Sequence, residues 1–257
     1  MRWALLSDTH IAADPANEYR GFRPHDNLRR VVMEAAAWKP GTLFVNGDLA
    51  RLEGLPADYQ RFLKTMEPLS GVPTGLTLGN HDDRTNFLAA TGTPRYGQPQ
   101  PVKDKHVLVI EQNGVRIVLL DSLFLVNRAA GLLGKDQRTW LDAYLRSSNF
   151  APTLIFVHHT LDDGDTSLLD AERFLRIASK NRSVKAVFYG HSHRYAYDTL
   201  EGMHLVNLPA VGYNFVDGEP VGWVRALISG EGAELTLRAI GGNREGHGKT
   251  RSLAWRA

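Results

Sequence analysis

Two histidines stand two residues apart in "YGHSHR", Tyr189 to Arg194, directly after the apolar run "VKAVF". Histidine is not a favoured strand residue, so a strand ending Gly-His-Ser-His breaks its own pattern where a sheet meets solvent. The same event recurs along the chain. "WALL" runs into "SDTH", "TLFV" into "NGD", "TGLTL" into "GNHDD", "RIVLL" into "DS" and "TLIFV" into "HH". The residues placed this way are Asp8, His10, Asp48, Asn80, His81, His158, His159, His191 and His193. Singly, each has an ordinary reading: an Asp after a strand is a turn or cap residue, and a buried His is satisfied by hydrogen bonds. Jointly they put a metal-competent side chain at nearly every run end. The chain has no cysteine, which removes disulfides and thiolate ligands. Imidazole combined with carboxylate and amide oxygen suits Mn, Fe, Zn or Ni, whereas an all-oxygen set would suit Mg or Ca.

The elements that must carry these residues are short apolar strands alternating with amphipathic helices. "DNLRRVVMEAAAWK" starts at Asp26, an N-cap residue type, and aligns Leu28, Val31, Val32, Ala35 and Ala36 on one face. "DYQRFLKTMEPL", "KDQRTWLDAYLRS" and "LLDAERFLRIASKN" repeat the pattern. Such alternation predicts an α/β layered fold with strands buried on both faces. Two hairpins interrupt it, one turning at Asn113-Gly114 and one at Gly230-Glu231-Gly232. The part from about Leu200 onward reads as β-rich, extending or covering a second sheet, and the tail returns to Leu253 and Trp255, which dock it on the body. With no linker-like segment, residues 1–257 read as one domain with two packed sheets.

At 257 residues the chain can bury a substantial core without staples. A formal charge of +2 with scattered Lys and Arg argues against a nucleic-acid surface. No run approaches the ~18 apolar residues of a membrane span, and "MRWALLSDTH" lacks the apolar core and cleavage site of a secretory signal. The expectation is a cytoplasmic enzyme without a membrane partner.

In order and wording, "DTH", "NGD", "GNHD", "VHH" and "GHSH" resemble the calcineurin-like metallophosphoesterase superfamily, whose pattern is D-x-H, G-D, G-N-H-[DE], H, G-H-x-H. The five blocks run from Asp8 to His193, about three quarters of the chain. The resemblance implies a four-layer α/β/β/α sandwich, two mixed sheets flanked by helices, with two divalent or trivalent metal ions at the strand ends. One ion would take Asp8, His10, Asp48 and His193. The other would take Asp48 as a bridge, with Asn80, His158 and His191. Side chains two apart on an extended segment lean the same way, so His191 and His193 would straddle both ions, with Gly190 allowing close backbone approach. A carboxylate-bridged pair sits roughly 3.5–4 Å apart and acidifies bridging water to the attacking hydroxide. His81, by the same resemblance, faces the substrate as the catalytic acid or charge stabiliser, and His159 is structural.

Protein Ser/Thr phosphatases of this superfamily continue the second block as G-D-x-x-D-R-G and the third as G-N-H-E. Here the text is "GDLARLEG" and "GNHDD", which removes the Asp that orients the catalytic His and argues against protein phosphatase activity. The sequence is more similar to bacterial class III cyclic nucleotide phosphodiesterases and glycerophosphodiesterases, through "SDTH", the loop "EYRGFRPHDNL", "GNHDD" and "LLDS"; it departs from them in reading "HHT" for His-His-Pro, with Thr160. The function so implied is hydrolysis of small organic phosphodiesters of cyclic nucleotide or glycerophosphodiester type. A phosphomonoesterase or nuclease using the same metals, and a non-catalytic scaffold, are the alternatives. Arg20, Arg23 and Arg84 are candidate substrate contacts, because guanidinium forks onto phosphate oxygens; solvated surface arginines are the other reading. His204, Tyr213 and Asn214 either line the pocket or belong to a core strand and turn. The oligomeric state is not fixed by the sequence, a homodimer being compatible with it.

Overall fold

The computed structural model describes residues 1–94, 96–147 and 151–257. Its strands form two mixed sheets. The first, in the order β13-β12-β11-β1-β2-β3, takes β1 (Arg2–Leu6), β2 (Thr42–Asn46), β3 (Thr74–Thr77), β11 (Pro220–Ile228), β12 (Gly232–Gly242) and β13 (Thr250–Ala254). The second, in the order β4-β5-β6-β7-β8-β10-β9, takes β4 (Gln98–Pro99), β5 (Leu108–Gln112), β6 (Val115–Leu119), β7 (Thr153–Phe156), β8 (Val184–Tyr189), β9 (Ala196–Leu200) and β10 (Met203–Asn207). Parallel pairs β1–β2, β2–β3, β6–β7, β7–β8 and β8–β10 align their carboxyl ends. Loops leaving those ends therefore converge on one rim, the usual location of a site in such sheets.

Strand alternation explains the layering. In β1, Trp3 and Leu5 turn inward between the sheets, while Ala4 and Leu6 turn toward α1 (Pro24–Trp38), α2 (Pro56–Thr65) and α3 (Arg84–Thr91). In β7, Leu154 and Phe156 face the intersheet core, while Ile155 and Val157 pack toward α4 (Gly134–Ser147) and α5 (Ala171–Lys180). Period-two side chains that are apolar on both faces need two covers. The result is helices, sheet, sheet, helices: the four-layer α/β/β/α sandwich expected. Phe44 of the first sheet stacks on Phe156 of the second at 4.7 Å, and Phe156 stacks on its own sheet neighbour Phe188 at 4.8 Å, so one aromatic row runs through the intersheet core.

Both hairpins form, and Asn113 and Gly114 take the paired positive φ of 48° and 75° that such a two-residue turn requires. Two expectations are corrected, and one helix went unread. Helix α1 begins at Pro24, not after an Asp26 cap: Arg23 is the cap residue, without a side-chain bond, and proline pre-sets the first-turn φ. Helix α3 was not legible, because it buries only Phe87; Asp83 starts it by accepting from Asn86 N at 2.8 Å. The C-terminal part does not serve one sheet. Strands β9 and β10 end the second, whereas β11 to β13 complete the first, with Leu253 buried. No helix among the described residues is long and apolar enough to cross a membrane.

Candidate metal centre

Asp8 and His10 leave β1, Asp48 leaves β2, and Asn80 and His81 leave β3. His158 leaves β7, and His191 and His193 leave β8. Five of these positions, Asp8, His10, Asp48, His191 and His193, have φ between 48° and 70°. Non-glycine residues in this left-handed region cost about 1–2 kcal/mol each, and such strain persists only where the surroundings over-determine it. Here backbone bonds do so: Asp8 N donates to Gly47 O (3.1 Å), His10 N to Asp48 O (2.9 Å) and Gly212 N to Asp8 O (2.9 Å). The expected extended segment at His191 to His193 is therefore not what forms. Strand β8 stops at Tyr189, and the two left-handed residues send their rings to different groups of partners.

Three sets of donor atoms lie within 4.8 Å of one another: Asp8, His10 and His193; Asp48, His158 and His191; and His10, Asp48 and His81. Asp48 Oδ2 stands 3.3 Å from His158 Nε2 and 3.7 Å from His10 Nε2, so one carboxylate oxygen lies between both halves. His193 Nε2 is 3.4 Å from Asp8 Oδ1. In four of the five rings the other nitrogen is tethered to a backbone carbonyl: His158 Nδ1 to Asn46 O (2.8 Å), His193 Nδ1 to Tyr213 O (2.6 Å), His191 Nε2 to Thr166 O (2.9 Å) and His81 Nδ1 to Leu52 O (3.0 Å). Such tethers fix the tautomer and aim the remaining lone pair. The fit to a cation is tested by His158 Nε2 and Asn80 Oδ1, which are buried and have no hydrogen-bond partner among the described residues. Buried polar atoms left without a hydrogen bond are costly, and a metal ion bound by both would relieve that cost.

Space at the site is made by glycine. A Cβ on Gly79 would meet Asp48 Oδ1 at 2.1 Å, and one on Gly190 would meet Ser7 Oγ at 2.2 Å and Asp8 Oδ2 at 2.6 Å. Electrostatics in the metal-free protein follow from burial and mutual attraction. Burial acts to raise the Asp8 carboxyl, but the His158 and His193 imidazoles outweigh it and hold it near 2. Asp48 is held well below the usual range, burial again being outweighed, chiefly by His158. Burial opposes charge on His158, yet Asp48 and Asp8 push it up to about 10. Burial holds His10 down to about 3, and burial together with His158 holds His191 down to about 4.

Eight of the nine strand-end residues are drawn together at this rim. The ninth, His159, belongs to none of the donor sets: its ring lies 4.8 Å from that of His191, and its Nδ1 is bonded to Ser122 Oγ at 2.7 Å. A Cβ at Gly131 would overlap its ring, so this histidine is packed against that loop. The substrate-contact candidates fare differently. Arg84 does not reach the centre: it grips fully buried Asp121 through Nε (2.6 Å) and a second nitrogen (2.9 Å), and also donates to Leu123 O. A guanidinium held bidentate by a buried carboxylate has no fork left for phosphate. His204 is likewise remote, with Nε2 on Ala254 O at 2.8 Å beside Trp255. Arg20 donates to the carbonyls of Asn214 (2.9 Å) and Phe215 (2.7 Å), bracing a loop at the rim, and Arg23 pairs with Glu18 at 3.5 Å on the surface.

Tyr213, one of the pocket candidates, does border the centre, whereas Phe215, Leu52 and Asp82 escaped the sequence reading. Tyr213 lies 4.7 Å from the rings of both His10 and His193, and Phe215 stacks on His193 at 4.2 Å. Leu52, one residue after the position of the missing orienting Asp, tethers His81 with its carbonyl, a backbone role no side-chain pattern announces. Asp82 is fully buried and accepts from the amides of Gly79, Leu49 and Ala50 and from Tyr59 Oη, holding the two loops together. The tandem "HDD" was the signal for it.

A cavity of about 610 Å³ opens over His10, Asp48, Asn80, His81, His191 and His193. A second, apolar cavity of about 550 Å³ beside β3 contains none of them.

The sequence profile of the family described as Calcineurin-like phosphoesterase matches residues 1–195. Among curated proteins, the chain is 27% identical over 221 residues to "Glycerophosphodiester phosphodiesterase GpdQ" of Enterobacter lignolyticus, covering 82% of this chain and 77% of that protein. It is 27% identical over 255 residues to "3',5'-cyclic adenosine monophosphate phosphodiesterase CpdA" of Vibrio vulnificus, covering 92% and 85%. Among solved structures, a dimetal phosphatase from Danio rerio superposes with a TM-score of 0.78 at 19% identity, covering 99% of both chains.

Proposed function

Since the chain belongs to the calcineurin-like phosphoesterase family and is a metal-dependent phosphoric ester hydrolase, we propose that it cleaves small organic phosphodiesters at a two-metal centre. The observation that carries this reading is Asp48 Oδ2, set between His158 and His10, with the orphaned His158 Nε2 and Asn80 Oδ1 beside it. One ion is assigned to Asp8, His10, Asp48 and His193, and the other to Asp48, Asn80, His158 and His191. Bound there, a pair of divalent cations would polarise phosphoryl oxygens and acidify water. Diesters of the cyclic nucleotide or glycerophosphodiester type are favoured by the names of the similar phosphodiesterases.

His81 is assigned the proton at the leaving oxygen. Its backbone amide donates to Asp48 Oδ1 at 2.9 Å and its Nδ1 is tied to Leu52 O, so Nε2 is left to serve the departing alkoxide. Residues 1–257 are read as one domain, because β11 to β13 complete the sheet that carries Asp8 and Asp48. The test is a side-by-side assay of a chromogenic phosphodiester and its monoester with added manganese. Faster turnover of the diester is expected, and strong monoester preference overturns the substrate assignment.

A further inference from the structure

The cavity reaches past the metal centre. Neighbouring strands stand about 4.8 Å apart, and beyond β8, which delivers His191, the second sheet continues through β10 to β9. The ends of those strands place Tyr189, Ala196 and Asn207 in direct register, and all three line the cavity together with Ser192 and Arg194. Asn207 on β10 and Ala196 on β9 stand one and two strand spacings from β8, roughly 5–10 Å, while Ser192 and Arg194 alternate along the chain with the ligands His191 and His193.

Two features of the wall call for a ligand. Among the described residues, Arg194 is the sole Lys or Arg lining the cavity, and it makes no hydrogen bond or ion pair. Asn207 is 3% exposed and gives its Nδ2 to Ser192 Oγ at 2.6 Å, while its Oδ1 is buried without a partner. Whichever way the amide is turned, one of its polar atoms is unpaired. Asp162 lines the same cavity, its Oδ1 accepting from Gly164 N and Ser167 Oγ, and it forms no ion pair with Arg194 among the described residues. The three arginines expected to meet substrate are occupied elsewhere, by carbonyls, by Glu18 and by Asp121.

We infer that Arg194 and Asn207 form a second-anion subsite, which selects phosphodiesters whose alcohol portion carries a further phosphate or carboxylate some 5–10 Å from the scissile phosphorus. Guanidinium supplies a fixed charge with forked donors, and the Asn207 amide, turned so that Oδ1 accepts from the Ser192 hydroxyl and Nδ2 is the unpaired atom, adds a neutral donor. The inference rests on the phosphodiesterase reading above and narrows its substrate class.

The test uses the metal-loaded protein with the p-nitrophenyl phosphodiesters of 1-butanol, 4-hydroxybutanoate and 4-hydroxybutyl phosphate. The wild type should show a KM about tenfold lower for one or both anionic esters than for the butyl ester, as expected of a charged hydrogen bond, with similar kcat. The ester that gains more identifies carboxylate or phosphate as the preferred anion. R194Q should erase the preference and R194K should keep most of it. An equal KM for the three esters in the wild type, or a preference unchanged in R194Q, overturns the subsite. Should none of the esters be cleaved, the phosphodiesterase reading fails separately, and calorimetry decides the subsite. Butane-1,4-diol bisphosphate must then bind the wild type about tenfold tighter than butyl phosphate does, and R194Q must lose that difference; equal binding overturns it.

Discussion

The Nε2 atoms of His10 and His193 face each other at 3.0 Å. His193 Nδ1 donates to Tyr213 O, so Nε2 is the atom it turns to its neighbour, and His10 Nδ1 is buried without a hydrogen-bond partner among the described residues. Two inward imidazole nitrogens can share one proton at most, whereas a cation satisfies both.

Metal should accordingly stabilise the fold. At free manganese a hundredfold above its Kd, the gain is about 2.7 kcal/mol, or roughly 5–10 °C in Tm for a chain of this size. Scanning calorimetry with manganese and with chelator measures it. His193→Ala should shrink the difference, and identical melting with and without chelator would count against the centre.

Metal uptake should release a proton. Burial disfavours charge on His158, but Asp48 and Asp8 raise it to about 10 in the metal-free protein, so at neutral pH a cation must displace the Nε2 proton. Apparent affinity should rise with pH until about 10. The raised value also means that His158 favours the metal-free fold fully below its unfolded pKa of about 6.5, a contribution lost as pH climbs through about 10. Titration calorimetry in two buffers of different ionisation enthalpy reads the proton directly.

His81→Ala should keep its metals and lose about 10²–10⁴-fold in kcat, the range for a general acid. Elemental analysis of the purified variant separates this from loss of the centre. Full activity would remove His81 from the mechanism.

Arg84→Ala should act on stability rather than on substrate. It leaves the buried Asp121 carboxylate with Lys105 at 3.9 Å and the amides of His106 and Leu123. Breaking such a pair costs about 3 kcal/mol, readable as a lower urea midpoint. KM should be unchanged; a raised KM would restore Arg84 to the substrate.

Strand-end chemistry was legible because it is local. An apolar run that stops at Asp, Asn or His names both the strand and the group it delivers, so Asp8, His10, Asp48, Asn80, His81, His158, His191 and His193 could be picked out before any fold was in hand. Layering was legible too, since runs such as "TLFV" and "TLIFV" are apolar on both faces and need cover on both. Helix α3 was not, because one buried Phe makes no periodic stripe.

What the chain's order could not decide was which atom meets which. Arg84 looked like a phosphate contact beside "GNHDD" until packing set Asp121, 37 residues away, against its guanidinium. The left-handed turns at His191 and His193, the Leu52 carbonyl that aims His81 and the unpartnered Arg194 likewise appear only in three dimensions. Pattern along a chain reports burial, which neighbours in sequence share. Hydrogen-bond partnership depends on distance and direction between side chains that only the closed sandwich brings together.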